Sequence, residues 1–242
     1  MKTAQITQTL QHFIWIWLTL ILAFYLSWMA LSQSNFLYGI WYDHAGIAEN
    51  IEAYAPKNRF RNGFETTDSD TRKALFAGIV DAIHNQGEGF KSLTYVNAYT
   101  QKTIPLLHRA EIVHLTDVAN LIQFLEKLGW GLLLLWTILT TYLLMSHQRF
   151  ASWSSALWNL GAGLVGLAGV LVFFGAKTVF YQLHIWIFPP EHPWFFYYQD
   201  SLMSTMMKAP DLFAYIALSL TLLALLFFVT LFTFFNRKIT SH

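Results

Sequence analysis

Four stretches of this 242-residue chain contain no Asp, Glu, Lys or Arg: Phe13 to Leu31, Leu128 to Met145, Trp153 to Ala176 and Leu212 to Phe235. Each is close to the ~20 apolar residues that a helix needs to cross a hydrocarbon core. Inside lipid a single segment satisfies its own backbone hydrogen bonds only as a helix. A soluble fold would have to bury most of the chain in one helical core, which an apolar content of 55% does not favour. The expected class is therefore an all-α membrane protein with four transmembrane helices.

Ala30-Leu31-Ser32 loosely resembles a signal-peptidase site. The apolar run before it is longer than a typical h-region and rich in Trp and Phe, so it reads as an uncleaved helix. Four spans put both termini on one side. Arg149 in the short loop between spans two and three, and Arg237 and Lys238 after span four, favour the cytoplasm for that side, although the segment from Lys177 to Lys208 also carries two positive charges. Long translocated domains largely escape this charge rule. The chain then divides into a tail and first span (1–32), an extracytoplasmic, mostly helical cap (33–127), and spans two and three with a short cytoplasmic loop (128–176). An extracytoplasmic aromatic interfacial segment (177–211) and a last span with a cytoplasmic tail (212–242) complete it.

Net charge is +1, which gives no electrostatic case for a nucleic-acid partner. Cysteine is absent. That excludes disulfides, a thiolate nucleophile, cysteine metal sites and lipidation of the chain's own cysteine. In the cap, Thr67, Asp68 or Ser69 can start a helix whose apolar face is Leu75, Phe76, Ile79, Val80 and Ile83, and Asn85 and Gly87 stop it. Phe90 to Tyr99 is aromatic and β-branched enough for an extended piece. From about Ala110 the pattern is helical again and runs into span two. Between Trp186 and Tyr198 fall seven aromatics, a composition suited to the headgroup level. In span three, Ala162, Gly163, Gly166 and Gly169 allow close helix packing.

Two histidines stand in dense motifs. His114 lies in Glu111-Ile112-Val113-His114-Leu115-Thr116-Asp117-Val118, and His184 in His184-Ile185-Trp186-Ile187-Phe188 before Pro189, Pro190, Trp194, Phe195 and Phe196. On a helix, Glu111, His114 and Asp117 share a stripe, and a carboxylate three residues away can orient an imidazole and raise the basicity of its other nitrogen. The plainer reading is that both carboxylates solvate a helix face and His114 packs. For His184, a polar group in an interfacial aromatic run is costly unless paired or used. His44, His84 and His108 have no evident partner, His192 between Glu191 and Pro193 reads as a turn residue, and His12, His147 and His242 flank spans or end the chain. There is no His-Glu-x-x-His zinc motif and no Gly-x-Ser-x-Gly elbow.

The run from Leu106 to Val118, the His184 segment and Pro210-Asp211-Leu212-Phe213 together resemble the bacterial lipoprotein intramolecular transacylase family. That family's Glu-x-x-His-Met-x-Asp-Val motif matches from Glu111 to Val118, with Leu115 in the Met position. Its His-x-x-Phe-Phe and downstream Trp-x-Phe match His184, Phe188, Trp194 and Phe196, with Ile187 replacing the first Phe and one extra residue before Trp194. The resemblance implies a multi-pass protein of the bacterial cytoplasmic membrane that acts on a diacylglyceryl lipoprotein N-terminus among membrane lipids. It implies His114 and His184 as catalytic residues, while Trp186, Phe188, Trp194 and Phe196 are expected to line the substrate pocket and Glu111 and Asp117 to orient. In that family the α-amine of the N-terminal cysteine attacks the ester at the middle glyceryl carbon, and the acyl chain moves to nitrogen. An imidazole is well matched to take a proton from an amine and return one to an alkoxide; the chemistry requires no covalent intermediate, metal or other cofactor. The rival expectation is a non-catalytic membrane protein that binds a lipid or an exported partner through its cap.

Single cysteines introduced at positions 60 and 100 of this cysteine-free chain should react with an impermeant maleimide from outside intact cells, and one at position 149 only from inside. Labelling of the first two from the cytoplasm would overturn the catalytic expectation.

Overall fold

The computed structural model describes residues 2–146 and 150–240. Its helices and strands are, in order, α1 (Lys2–Ser32), α2 (Tyr38–His44), α3 (Ile47–Tyr54), α4 (Ser69–His84), β1 (Thr94–Val96), β2 (Thr103–Pro105), α5 (Arg109–Met145), α6 (Trp153–Phe174), α7 (Ala176–Ile187), α8 (Leu202–Met206) and α9 (Asp211–Thr240). Among the described residues, Ile6–Ser32, Arg109–Met145, Trp153–Phe174 and Asp211–Asn236 are long and apolar enough to cross a membrane. The fold is thus all-α with four membrane helices and one small antiparallel hairpin, in which Tyr95 pairs with Ile104. Arg149, His147 and His242 lie outside the described residues, and Arg237 and Lys238 fall in the last helical turns of α9.

The charge-free stretch from Leu128 is the later part of a helix that starts at Arg109, as the helical pattern from about Ala110 indicated; at 1.5 Å per residue, its 37 residues reach about 55 Å, well beyond a ~30 Å hydrocarbon core. The third membrane helix ends at Phe174, because Gly175 adopts φ +80° and breaks the helix before α7.

The chain forms two compact units. One comprises Met1–Met29, Lys127–Leu183 and Leu220–His242; the other comprises Ala30–Glu126 and His184–Ser219. In the first, buried Trp15, Ile16, Leu22, Leu143, Phe228 and Phe232 form the core. Indole N–H groups would be costly there without partners, and two reciprocal bonds between α1 and α5 satisfy them. Trp15 Nε1–H donates to Thr140 Oγ1 (3.0 Å), and Trp136 Nε1–H donates to Thr19 Oγ1 (2.9 Å). The Thr19 hydroxyl in turn donates to the Trp15 carbonyl at 2.7 Å. α6 leaves its large apolar residues, Leu164, Val165, Val172 and Phe173 among them, on the open surface, as a lipid-facing helix should. Of the small residues on α6, Gly163 has the ring of Trp17 where a Cβ would stand, whereas Gly166 and Gly169 meet nothing within 4 Å. Close packing therefore falls on Gly163 alone of these three glycines.

In the second unit, Asp68 caps α4 by accepting the Thr71 amide, a bond that holds its carboxyl below the usual range. The α4 face Leu75, Phe76, Ile79 and Val80 is buried. Phe76 stacks on Tyr38 at 3.8 Å, and the Tyr38 hydroxyl donates to the Met206 carbonyl. Burial pushes that hydroxyl well above its ordinary pKa. Arg72 is buried and fully engaged, donating to Tyr42 Oη, the Glu65 carbonyl and Thr67 Oγ1. α8 differs from an interfacial segment in that all five of its residues are buried. Its ends survive burial because side chains take its free backbone groups: Ser201 Oγ accepts from the Ser204 amide, and Asn50 donates to the Thr205 carbonyl.

A double-mutant cycle should expose the indole–threonine pairing. Trp15→Phe and Thr140→Val, alone and together, are expected to couple by about 0.6 kcal/mol, and at most ~1.7 kcal/mol, in unfolding measured in micelles. Additive losses would mean that the bond contributes no net stability.

Candidate active site

The site is built on the first turns of α5, within the second unit. His108 precedes α5: its Nδ1 accepts from the Ala110 amide at 3.2 Å, so its Nε2 carries the proton and donates to the Asp200 carbonyl at 2.8 Å. Three residues on, Glu111 Oε2 accepts the His108 amide at 2.7 Å. The two make a reciprocal cap of the capping-box kind. The other oxygen of Glu111 accepts from Ser201 Oγ (2.6 Å) and the Met203 amide (3.0 Å), and the side chain has no solvent exposure (0%). Glu111 is therefore the clamp that joins the start of α5 to the start of α8. It does not hydrogen-bond His114, as its spacing had suggested, because three other donors occupy it.

Helical periodicity then sorts the α5 residues. Glu111, Leu115, Ala119 and Ile122 are buried. The neighbouring stripe of Ala110, Val113, His114 and Asp117 is half-buried and faces the site. After α7 the chain runs irregularly from Phe188 to Ser201, and exposure alternates: His192, Trp194, Phe196, Tyr198 and Asp200 are half-buried, while Glu191, Pro193, Phe195, Tyr197 and Gln199 are exposed. Each inward residue finds a partner: His192 meets Asp117, Trp194 meets His184, Phe196 meets both His108 and His114, the Tyr198 hydroxyl donates to the Ala209 carbonyl, and Asp200 pairs with Arg59.

His114 and His184 share one wall. The Phe188 ring lies edge-on to His114 at 5.3 Å and tilted against His184 at 5.4 Å. Trp194 covers His184 at 4.5 Å, and Phe196 lies 6.0 Å from His114. His184 and Asp117 are both near enough to act on His114 electrostatically. Buried His114 Nδ1 has no hydrogen-bond partner among the described residues. A buried ring nitrogen left so forfeits about 1–3 kcal/mol unless a ligand completes it.

Three sequence expectations change here. Asp117 gives its hydrogen bond to His192, whose Nδ1–H donates to Oδ2 at 2.7 Å; it does not orient His114 by a direct bond. Trp186, expected in the pocket, is 73% exposed, because the α7 face that carries His184 turns Trp186 away. His108, taken as unpartnered, is engaged; His192 closes a turn as expected, its amide donating to the Pro189 carbonyl at 3.0 Å, but its ring is engaged as well, and both residues line a cavity of about 470 Å³ with Phe60, Val113, Glu191 and Pro193. Nothing local marks His192, since the partner of its ring, Asp117, lies 75 positions away; His108 has local partners in Ala110 and Glu111, but its Asp200 contact spans 92 positions. The alternation from 192 to 200 was hidden because both faces carry aromatics. No group of three or more His, Asp or Glu side chains among the described residues could hold a metal ion.

No protein-family model matches the sequence. No curated protein matches it either. The structure is similar to the in meso structure of the membrane integral lipoprotein intramolecular transacylase Lit from Bacillus cereus, determined with a histidine-to-arginine mutation. The likeness covers 99% of this chain and 95% of that one at a TM-score of 0.72, with 13% sequence identity. The two share a fold. That fold agrees with the family to which the His114 and His184 motifs point, and at this identity the likeness is one of architecture.

Glu111→Ala should strand the His108 and Met203 amides and the Ser201 hydroxyl, at a cost of about 3 kcal/mol or more, read as a lowered melting temperature in detergent. Glu111→Gln, which keeps one acceptor oxygen, should lose clearly less. Equal losses would mean that the clamp works through packing alone.

Proposed function

We propose that this protein is a membrane acyltransferase of the intramolecular lipoprotein transacylase kind. The substrate is a lipoprotein whose N-terminal cysteine bears a thioether-linked diacylglyceryl group, and the acyl chain at the middle glyceryl carbon moves to the cysteine's own amine. The product is a lyso-form, N-acylated lipoprotein. The observation that carries this reading is the contact of both His114 and His184 with Phe188, together with a buried nitrogen of His114 left for a ligand. The shared fold with the transacylase supports it.

In the transfer, the amine nitrogen attacks the ester carbonyl carbon, and the bond from that carbon to the glyceryl oxygen breaks. One imidazole takes the proton from the attacking nitrogen while the other gives a proton to the departing alkoxide. The pair ends the turnover with its proton exchanged and no net gain. Counting N, Cα, Cβ, S, two glyceryl carbons, ester oxygen and carbonyl carbon, the ring formed in the attack has about eight members, which closes reluctantly without help. Confinement between Phe188, Trp194 and Phe196 supplies that help by holding the two ends together. No nucleophile of the protein takes part, in keeping with the absence of cysteine. In this reading the protein sits in the bacterial cytoplasmic membrane and presents the site on the extracytoplasmic side, where such lipoproteins are exposed.

The test is turnover of a synthetic diacylglyceryl lipopeptide by the purified, reconstituted protein. Substrate and product are isomers of one mass, so the readout is fragmentation that places the acyl chain on nitrogen, together with loss of amine reactivity. His114→Ala and His184→Ala should each lower the rate by about 10²-fold or more, whereas His44→Ala, an exposed change, should leave it intact. Full turnover by either of the first two would remove that residue from catalysis.

A further inference from the structure

The exchange between His114 and His184 leaves one proton unaccounted for. An α-amine titrates near ~8, so at neutral pH the substrate arrives mainly as an ammonium ion that cannot attack. Its extra proton must leave before the acyl transfer begins. The two imidazoles of the transfer cannot keep that proton, because they must return to their starting state together.

A third imidazole is placed to accept it. His192 donates Nδ1–H to Asp117 at 2.7 Å, which leaves Nε2 with a free lone pair. The bond to the carboxylate fixes the tautomer and the orientation of the ring, as an acid does for a histidine base. The Asp117 side chain is 14% exposed and that of His192 36% exposed, so the pair joins a sheltered carboxylate to a wetter ring. His192 lines the cavity of about 470 Å³, where His108, Arg109 and Glu191 are the other titratable or charged groups that face it. His114, on the same α5 stripe, is also within electrostatic reach of Asp117. The cavity adjoins the aromatic site through His108, whose ring lies 6.0 Å from Phe196, itself 6.0 Å from His114.

We propose that His192, oriented by Asp117, is a further catalytic residue: it deprotonates the substrate's α-ammonium in the cavity and passes the proton to water. The proposal rests on the transacylase reading. In the step, the N–H bond of the ammonium breaks, the electron pair stays on nitrogen, and His192 Nε2 gains the proton. The freed amine then enters the transfer between His114 and His184.

The experiment is the pH dependence of lipopeptide turnover by the reconstituted full-length protein. For the wild type, rate should hold at a plateau down to pH values below the amine's own titration. His192→Gln, which can still donate to Asp117, should react only with amine already free. Its rate should fall by about 30-fold at pH ~6.5, where only that small share of the amine is free, and recover as pH rises past ~8. Asp117→Asn should shift the profile in the same direction by less. Added imidazole should restore His192→Ala at neutral pH. An unchanged profile in His192→Gln overturns the proposal, as does a loss that is equal at every pH, which would mark a structural residue. A wild type that turns over no lipopeptide at any pH sinks the transacylase reading and this proposal with it; an active wild type with an insensitive His192→Gln sinks the proposal alone.

Discussion

Glu111 has no water to turn to. Its two oxygens accept from the His108 amide, the Ser201 hydroxyl and the Met203 amide. The consequence reaches beyond local stability. A helix turns about 100° per residue, so fixing Glu111 inward fixes the direction of every neighbour on α5. Ala110, Val113, His114 and Asp117 are then obliged to face the site. The same carboxyl fixes the start of α8, and with it the end of the aromatic chain that runs from Phe188. Both walls of the site are thus referred to one side chain.

Between those walls the protein uses aromatic surface where a soluble active site would use charge. Phe188, Trp194 and Phe196 surround His114 and His184 with rings that offer shape but few hydrogen bonds. Such a lining suits an acyl ester, which is apolar apart from its carbonyl, and it makes each polar group present count for more in a low-dielectric setting. The Asp117 carboxylate, within electrostatic reach of His114, bonds His192. The α5 stripe therefore carries two imidazole environments: His114 among rings, and His192 against an acid at the edge of a cavity. Two imidazoles in unlike surroundings can divide the proton steps of one reaction.

The four membrane helices and the all-α class were legible in the sequence, as were a cap of α4 among Thr67, Asp68 and Ser69, of which the structure uses Asp68, and the helical continuation into α5. The reason is that each depends on a local quantity. Lipid acts on every residue of a span separately, and a cap bond reaches only three residues. The motifs around His114 and His184 were also legible as motifs, and the structure brings the two rings to one phenylalanine. Their surroundings were not. Asp117 finds His192 across 75 positions, and Glu111 finds Ser201 and Met203 across 90 and 92. At those separations spacing carries no information, so the local option, a carboxylate three residues from a histidine, looked equally good on paper.

Composition misled in one further place. Trp186, Trp194 and Phe196 look alike in an aromatic run, yet Trp186 is on the surface while the other two touch the histidines. Which face of α7 turns inward, and which alternate residues of the chain beyond it do so, is set by the elements that pack against them. The sequence by itself determined how many times the chain can cross a membrane and where its chemistry-bearing residues lie, since hydrophobic length and residue type are properties of short segments. Only the tertiary structure decided which acid serves which base, because a hydrogen-bond donor takes whichever acceptor the fold brings within about 3 Å, regardless of its distance along the chain.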